Sequence, residues 1–181
     1  MIRLATPGDG AAVAEIYRPY VESSTITFEV AAPDEGEMRT RVATTLERYP
    51  WLVWEFEGRV RGYVYAAAHR SRAAYQWSVD AAVYVDQDHH RRGIGRALYL
   101  ALFPMLVRQR FVNVYAGITL PNDRSVGLHE AVGFRPVGIY RHVGFKLGQW
   151  RDVGWWHLAL QPLPPEPEPP IALRDIGTER L

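Results

Sequence analysis

The sequence contains no cysteine among its 181 residues. This excludes disulfide bonds, thiolate metal sites and a cysteine nucleophile, and it is typical of proteins from a reducing compartment. No apolar run approaches the ~18 residues that a membrane-spanning helix needs, and the opening segment MIRLATPGDG lacks the apolar core of a signal peptide. We therefore expect a cytoplasmic protein without a membrane partner.

Neither sign of charge dominates the chain, because lysine and arginine total 21 while aspartate and glutamate total 20. A surface with this balance does not attract nucleic acid as a whole, so we expect no nucleic-acid partner. A binding site for an anion must therefore come from a local cluster of basic groups. Hydrophobic residues make up 48% of the chain, which at this length is enough for one domain with a sizeable core.

Hydrophobic periodicity and turn signals predict a mixed α/β chain without internal repeats. The segment from Ser23 to Phe28 is rich in β-branched residues and is predicted to be extended, and His69 to Trp77 is predicted to be a loop. The predicted strands are residues 2–4, 51–57, 60–68, 78–85, 111–118, 135–143 and 152–160. The predicted helices are residues 7–20, 34–48, 93–108 and 123–132.

The composition changes after Gln161. The segment PLPPEPEPPIALRDIGTERL is rich in proline and has almost no aromatic content, which predicts an extended, weakly ordered terminus. We therefore divide the chain into a domain over residues 1–160 and a proline-rich C-terminal tail over residues 161–181. The tail is either solvated or docked on a partner subunit.

A phosphate-binding turn is predicted where the strand of residues 78–85 leads into the helix that follows it. The stretch VYVDQDHHRRGIG places Gly93 and Gly95 at the beginning of that helix. Glycines let the backbone approach a ligand, and a helix start offers unpaired N–H groups to an anion. Leu98 replaces the third glycine of a dinucleotide fingerprint, and the lysine of an ATP-binding loop is missing. A tight turn without a ligand is the alternative.

The run His90-Arg91-Arg92-Gly93-Ile94-Gly95 after the strand AAVYV resembles the acetyl-CoA pyrophosphate loop of the GNAT acetyltransferases. Other blocks occur in the order seen in the phosphinothricin N-acetyltransferase branch: YVESSTITF, ERYPWLV, RAAYQW, LPNDRSVGLHEAVGF and VGFKLGQWRDVGWW. The resemblance covers about residues 1–160. It implies the GNAT fold, an α/β (mixed α+β) architecture with a central mixed, mostly antiparallel sheet and helices on both faces. It also implies acetyl-CoA as co-substrate and a homodimer.

The resemblance also implies catalytic roles for two residues in the attack of a primary amine on the thioester. Asp80 stands where these enzymes have a glutamate as proposed base, and its shorter side chain favours proton transfer through water. His129, in LHEAVGF, stands where many GNAT enzymes have a tyrosine near the CoA sulfur, and it would protonate the thiolate or relay a proton. The alternatives are a solvated carboxylate and a structural histidine.

Cofactor contacts are implied for the glycine turn and for the strand before it. Arg91 and Arg92 would meet phosphate groups, and Asn122 would bind the pantetheine chain or only cap a helix. Backbone N–H groups of Val83-Tyr84-Val85 would polarise the acetyl carbonyl if this strand separates from the next one. The full set is Val83, Tyr84, Val85, His90, Arg91, Arg92, Gly93, Ile94, Gly95 and Asn122.

The implied acceptor contacts are Phe28, Arg70, Arg72, Tyr75 and Tyr84. Phosphinothricin carries a carboxylate and a phosphinate, which two arginines and tyrosine hydroxyls suit. An ordinary surface loop for the arginines and a core position for Tyr84 are the alternatives. Methionine sulfoximine, another amino acid or a protein N-terminus could also be the acceptor, whereas the arginines argue against a polyamine.

The sequence leaves one alternative open on catalysis and supports one prediction on metal binding. Because Asp80 replaces the family glutamate, a CoA-binding regulatory module without activity is an alternative to an enzyme. The adjacent His89 and His90 lack a carboxylate or further histidine placed to complete a metal site, so we expect no metal.

Overall fold

The computed structural model describes residues 1–176. It contains a seven-stranded sheet in the order β1-β2-β3-β4-β5-β7-β6. The strands are β1 (Ile2–Leu4), β2 (Trp51–Phe56), β3 (Arg59–Ala68), β4 (Ser78–Val85), β5 (Asn113–Leu120), β6 (Arg135–Lys146) and β7 (Gln149–Ala159). Neighbouring strands are antiparallel except β4 and β5, which are parallel. The prediction of a mixed, mostly antiparallel sheet is confirmed.

Helices cover both faces of this sheet, as predicted. They are α1 (Gly10–Ser23), α2 (Glu35–Leu46), α3 (Ile94–Arg108) and α4 (Asp123–Ala131). Along β2, Leu52 packs into the core beneath α3, whereas Trp51 and Val53 pack into the core beneath α1 and α2. The two cores arise because successive side chains of a strand point to opposite faces. No helix among the described residues is long and apolar enough to cross a membrane.

Side-chain caps fix where α2 and α4 begin. Asp34 accepts a hydrogen bond from the Glu37 N–H at 2.8 Å, and Asn122 accepts one from the Ser125 N–H at 3.2 Å. The first helix differs from its prediction, because Pro7–Asp9 forms a separate 3-10 turn before α1. The Asp9 carboxylate closes that turn by accepting from the Thr6 N–H at 2.7 Å.

The predicted extended segment at residues 23–28 is not a strand. Ser23 ends α1, and the following residues form the α1–α2 loop, residues 24–34. The Ser24 hydroxyl donates to Tyr20 O at 2.7 Å, and Lys146 Nζ donates to Thr27 O at 2.9 Å. These side chains donate to backbone carbonyl groups at the end of α1 and in the loop. Such bonds take the place of those that a neighbouring strand would provide.

The prediction of an extended, solvated terminus is wrong for part of the tail, because Leu173–Asp175 forms a 3-10 turn. Leu173 and Ile176 are buried in the core beneath α3, at 5% and 7% exposure. The Leu173 N–H donates to Arg48 O, and the buried Gln109 amide donates to Ile171 O at 2.9 Å. The tail therefore packs on its own chain. Residues 177–181 lie outside the described residues, and the domain boundary at 160 stays a prediction.

Candidate active site

β4 and β5 are paired only at their beginnings. Their register ends at the pair Asp80 and Tyr115. β4 continues to Val85 as a partner of β3, and β5 continues to Leu120 as a partner of β7. The two strands therefore separate beyond Asp80, and within the described chain the β4 backbone on that side has no strand partner. A ligand inserted there can supply the missing hydrogen bonds.

Alternation along β4 directs neighbouring side chains into two cavities. Val83 and Val85 line the first, the α3 cavity, of about 450 Å³ beside α3 and α4. Tyr84 lines the second, the hairpin cavity, of about 440 Å³ between the α1–α2 loop and the β6–β7 hairpin. Ile26 lines both, so the cavities adjoin at the end of β4. β4 thus separates the α3 cavity from the hairpin cavity, and each is large enough for a small ligand.

The α3 cavity has the character of an anion site. Gly93 caps α3 with a φ of 76°, the left-handed conformation that glycine adopts without strain. The first intrahelical bond runs from the Ala97 N–H to Gly93 O, which leaves the preceding N–H groups without helical acceptors. Arg91, Arg96 and Arg124 line the same cavity. Unpaired N–H groups, the helix dipole and three arginines at one opening suit phosphate groups.

Most of the predicted cofactor contacts line the α3 cavity. Arg92 is exposed on the turn and does not line it, and Tyr84 faces the hairpin cavity instead. Sequence reasoning missed Arg96 and Arg124, because an arginine on a helix gives no signal that separates it from a solvated cation. The predicted residues that line the cavity are Val83, Val85, His90, Arg91, Gly93, Ile94, Gly95 and Asn122.

The predicted acceptor residues reach the hairpin cavity only in part. Phe28 and Tyr84 line it, whereas Arg70, Arg72 and Tyr75 do not. Arg72 and Tyr75 are exposed, and the Arg70 guanidinium lies 5.5 Å from the ring centroid of a cavity-lining tryptophan, Trp155. The remaining lining residues are Ile26, Thr27, Gly117, Thr119, Tyr140, Val143, Val153 and Trp155.

Tyr20, which sequence reasoning missed, connects α1 to both β4 and the glycine turn. Its hydroxyl donates to Val85 O and lies 2.8 Å from His90 Nε2. Its ring packs edge-on against Tyr84, with centroids 5.2 Å apart. Burial raises the pKa of Tyr20 to about 12, so the hydroxyl stays a donor at neutral pH. α1 therefore holds the end of β4 in place between the two cavities.

Asp80 lies where β4 leaves β5, and it has a partner that sequence reasoning assigned to a plain loop. His69 Nδ1 lies 2.6 Å from Asp80 Oδ1, with side-chain exposures of 13% and 33%. Burial raises the pKa of the Asp80 carboxyl, and the bond to His69 opposes part of that rise. A carboxylate with a raised pKa accepts a proton more readily than a solvated one, which suits a general base.

The structure does not bring His129 to the α3 cavity. This residue is 4% exposed. Its Nδ1–H donates to Ser125 O at 2.7 Å, and its Nε2 accepts from the Tyr99 hydroxyl at 2.8 Å. Burial lowers its pKa, so the ring is neutral near pH 7. Both nitrogens are engaged within the described residues, which favours the structural alternative over the predicted acid.

The adjacent His89 and His90 have separate partners. His89 Nδ1 lies 3.4 Å from Asp86 Oδ2, while the His90 ring bonds to Tyr20. Among residues 1–176, no group of three or more histidine, cysteine, aspartate or glutamate side chains is placed to hold a metal ion.

Comparison with known proteins identifies the family. The model for the acetyltransferase (GNAT) domain matches residues 2–155. The chain is 43% identical to phosphinothricin N-acetyltransferase of Streptomyces viridochromogenes, over 94% of this chain and 93% of the relative. It is 32% identical to the L-methionine sulfoximine/L-methionine sulfone acetyltransferase of Salmonella typhimurium, over 88% of this chain and 94% of the relative.

A solved structure shows the same similarity in three dimensions. The crystal structure of a GNAT superfamily phosphinothricin acetyltransferase from Sinorhizobium meliloti, in complex with AcCoA, superposes with a TM-score of 0.84. The two are 34% identical, and the match covers 88% of this chain and 87% of the other. The chain therefore belongs to the GNAT family and is an acetyl-CoA-dependent N-acetyltransferase.

Proposed function

We propose that this enzyme acetylates the α-amino group of phosphinothricin or a similar small acidic amino acid analogue. One observation carries the proposal: β4 stands between two adjoining cavities, with Asp80 at the point where it leaves β5. Such an arrangement lets a thioester and an amine meet across one strand. Similarity to several phosphinothricin N-acetyltransferases supports this choice of acceptor.

Acetyl-CoA is the substrate that suits the α3 cavity. The N–H groups before Ala97 and the side chains of Arg91, Arg96 and Arg124 would bind its phosphates. The unpaired part of β4 would bind the chain that carries the thioester, and a β4 N–H would polarise the acetyl carbonyl.

Asp80 is the base in the proposed mechanism. Its carboxylate takes one proton from the acceptor ammonium, directly or through a water molecule. The nitrogen lone pair then forms the C–N bond, the C–S bond breaks, and the thiolate leaves with the bonding electrons. The nitrogen loses its second proton as the thiolate gains one. Each turnover yields the acetylated amine, CoA and one proton released from Asp80.

Two arginines favour an anionic acceptor. Arg70 lies over Trp155 at the hairpin cavity, and Arg72 is exposed two residues further along the same loop. These cations would attract an acceptor carboxylate or phosphinate and repel a polyamine.

Methionine sulfoximine is a second candidate acceptor, and the composition of the hairpin cavity favours it. No charged residue is among the described residues that line this cavity, and its walls include Val143, Val153 and Trp155. A side chain with less negative charge than a phosphinate suits such walls.

The test is thiol release from acetyl-CoA with phosphinothricin, methionine sulfoximine, glutamate, aspartate and spermidine in parallel. Isothermal titration of acetyl-CoA is the companion measurement. We expect turnover with the first two acceptors and a raised KM for them in Arg70→Ala. Faster turnover of spermidine would overturn the acceptor class. Binding of acetyl-CoA without turnover of any amine would support the regulatory module instead.

We also propose that the enzyme is a homodimer formed through β6. This strand is at one end of the sheet and exposes large apolar side chains. Val137 is 62% exposed, Phe145 59% and Ile139 44%. Apolar residues on an unpaired edge usually mark an interface. Sedimentation should give a dimer at micromolar concentration and a monomer for Ile139→Lys; a monomeric native protein would refute the proposal.

A cytoplasmic location and a role in resistance complete the proposal. Acetyl-CoA is made and used inside cells, and acetylation removes the positive charge from the amine of the acceptor. Cell fractionation should place the protein with the cytoplasmic markers. Its expression should allow a phosphinothricin-sensitive bacterium to grow on the compound, whereas the Asp80→Asn variant should not.

A further inference from the structure

His69 stands beside the carboxylate that the proposed function uses as base. It directly follows β3, on which Ala67 is the partner of Asp80. Its Nδ1 lies 2.6 Å from Asp80 Oδ1. Since a carboxylate can only accept, Nδ1 carries the proton and donates it in this bond.

Aromatic rings fix the orientation of the His69 imidazole. It stacks on Tyr115, with centroids 4.5 Å apart and planes at 21°. The rings of Tyr75 and Trp155 each contact it edge-on at 5.9 Å. Because Tyr115 is also the β5 partner of Asp80, the stacking ties the imidazole to the strand pair that carries the base.

The second carboxylate oxygen of Asp80 is left for the reaction. Oδ1 is held by His69, and Oδ2 accepts no hydrogen bond from residues 1–176. The titratable and charged groups around the carboxylate come from β3, β5, β7 and the loop after β3. They are Tyr65, His69, Arg70, Tyr75, Tyr115 and His157.

We propose that His69 is the positioning residue of the base, holding Asp80 Oδ1 so that Oδ2 takes the proton of the acceptor ammonium. The inference rests on the proposed function. His69 neither gains nor loses a proton in the step: one proton moves from the ammonium nitrogen to Oδ2, and the freed lone pair forms the C–N bond. The CoA thiolate leaves as it does in the mechanism of the proposed function.

The hydrogen bond between His69 and Asp80 has a physical reason, which is the length of the aspartate side chain. Asp80 is one methylene shorter than a glutamate, so its carboxylate stays closer to the half-buried backbone of β4. Burial alone favours the protonated acid, which cannot act as a base. A fixed N–H donor stabilises the ionised form and sets which oxygen faces the acceptor.

The test compares His69→Phe with a matched control, His157→Phe. Both replace an imidazole that stacks on Tyr115, but His157 bonds to Asn113 and not to Asp80. The Asp80 carboxyl is titrated by carbon-13 NMR in protein without acceptor, with its signal assigned from Asp80→Asn. In His69→Phe its midpoint should move to higher pH by about one unit, the order expected for loss of one hydrogen bond to a charged group, while His157→Phe leaves it in place.

Kinetics give the second readout. The kcat of His69→Phe at pH 7 should fall about tenfold or more, which is part of what a general base contributes. The acetyl-CoA affinity should stay within twofold of the native value. His69→Asn, which restores an N–H near the Nδ1 position, should recover much of the loss.

The outcomes separate the inference from the function. If the native enzyme acetylates phosphinothricin but His69→Phe matches it in kcat, or leaves the Asp80 midpoint unmoved, the inference is wrong. A native enzyme without activity on any amine would overturn the proposed function, while the NMR titration would still show whether His69 controls the Asp80 carboxyl.

Discussion

The ring of Phe28 packs against the backbone of Gly144, so closely that a Cβ at position 144 would overlap the ring. The register of β6 with β7 shifts between Tyr140 and Gly144, which shapes the hairpin at this contact. Lys146 Nζ adds a buried hydrogen bond to Thr27 O in the same loop. The α1–α2 loop and the β6–β7 hairpin are therefore joined at the wall of the hairpin cavity.

We expect Gly144→Ala to impair acceptor binding. The new methyl group must displace Phe28 from the cavity wall, because backbone atoms on the glycine side cannot retreat. The KM for the acceptor should rise about tenfold, while the acetyl-CoA affinity is retained. Gly138→Ala in the same strand is the control, since a Cβ there meets nothing within 4 Å. Equal KM values for the two variants would contradict this account.

Gly93→Ala should weaken acetyl-CoA binding. Gly93 has a φ of 76°, and an alanine in the left-handed region costs about 1 kcal/mol even though a Cβ would meet no atom within 4 Å. Gly58→Ala in the β2–β3 turn carries a similar backbone cost, at a φ of 70°. Thermal unfolding should shift similarly in both, whereas calorimetry should show weaker acetyl-CoA binding only for Gly93→Ala.

Asp80→Asn should lower kcat while sparing acetyl-CoA affinity. The amide keeps the shape of the carboxylate but cannot accept the ammonium proton, so the loss falls on the chemical step. Steady-state kinetics should show a fall in kcat of about 100-fold or more. An unchanged rate would remove Asp80 from the mechanism.

His129 should make stability depend on pH. Burial places its folded-state pKa below the ordinary value of 6.5, so the unfolded chain binds a proton more readily. The free energy of unfolding should therefore fall as the pH decreases below about 6.5. In His129→Gln, urea unfolding between pH 7 and pH 5 should show a shallower fall, with the remainder from groups such as His157. An unchanged slope in His129→Gln would contradict this origin of the pH dependence.

Leu173→Ala should destabilise the domain even though it lies beyond residue 160. Leu173 is 5% exposed within the core beneath α3, and truncation of a buried leucine costs about 2–5 kcal/mol. Urea unfolding measures the loss. Leu163→Ala, in the same tail but 77% exposed, should have little effect. Equal stability of the two variants would restore the prediction of a solvated tail.

Local sequence patterns were sufficient to predict most of the fold and the glycine turn beside the α3 cavity. Helix starts at Asp34 and Asn122 follow from capping chemistry, and the strands follow from short apolar runs between turns. The glycine turn was predictable because Gly93, at a helix start, has the left-handed backbone geometry that few other residues adopt. These features depend on residues close together in the chain.

Tertiary structure decided which side chains meet at the site. His69 and Asp80 are brought together by the β3–β4 register and by a ring stacked from β5, and no local pattern encodes that contact. The partner of His129 Nε2 likewise comes from a distant segment, since Tyr99 lies on another helix. The elements, the family resemblance and the glycine turn before α3 follow from the sequence alone. Only packing between distant segments, which sets burial and hydrogen-bond partners, decided the surroundings of Asp80 and His129.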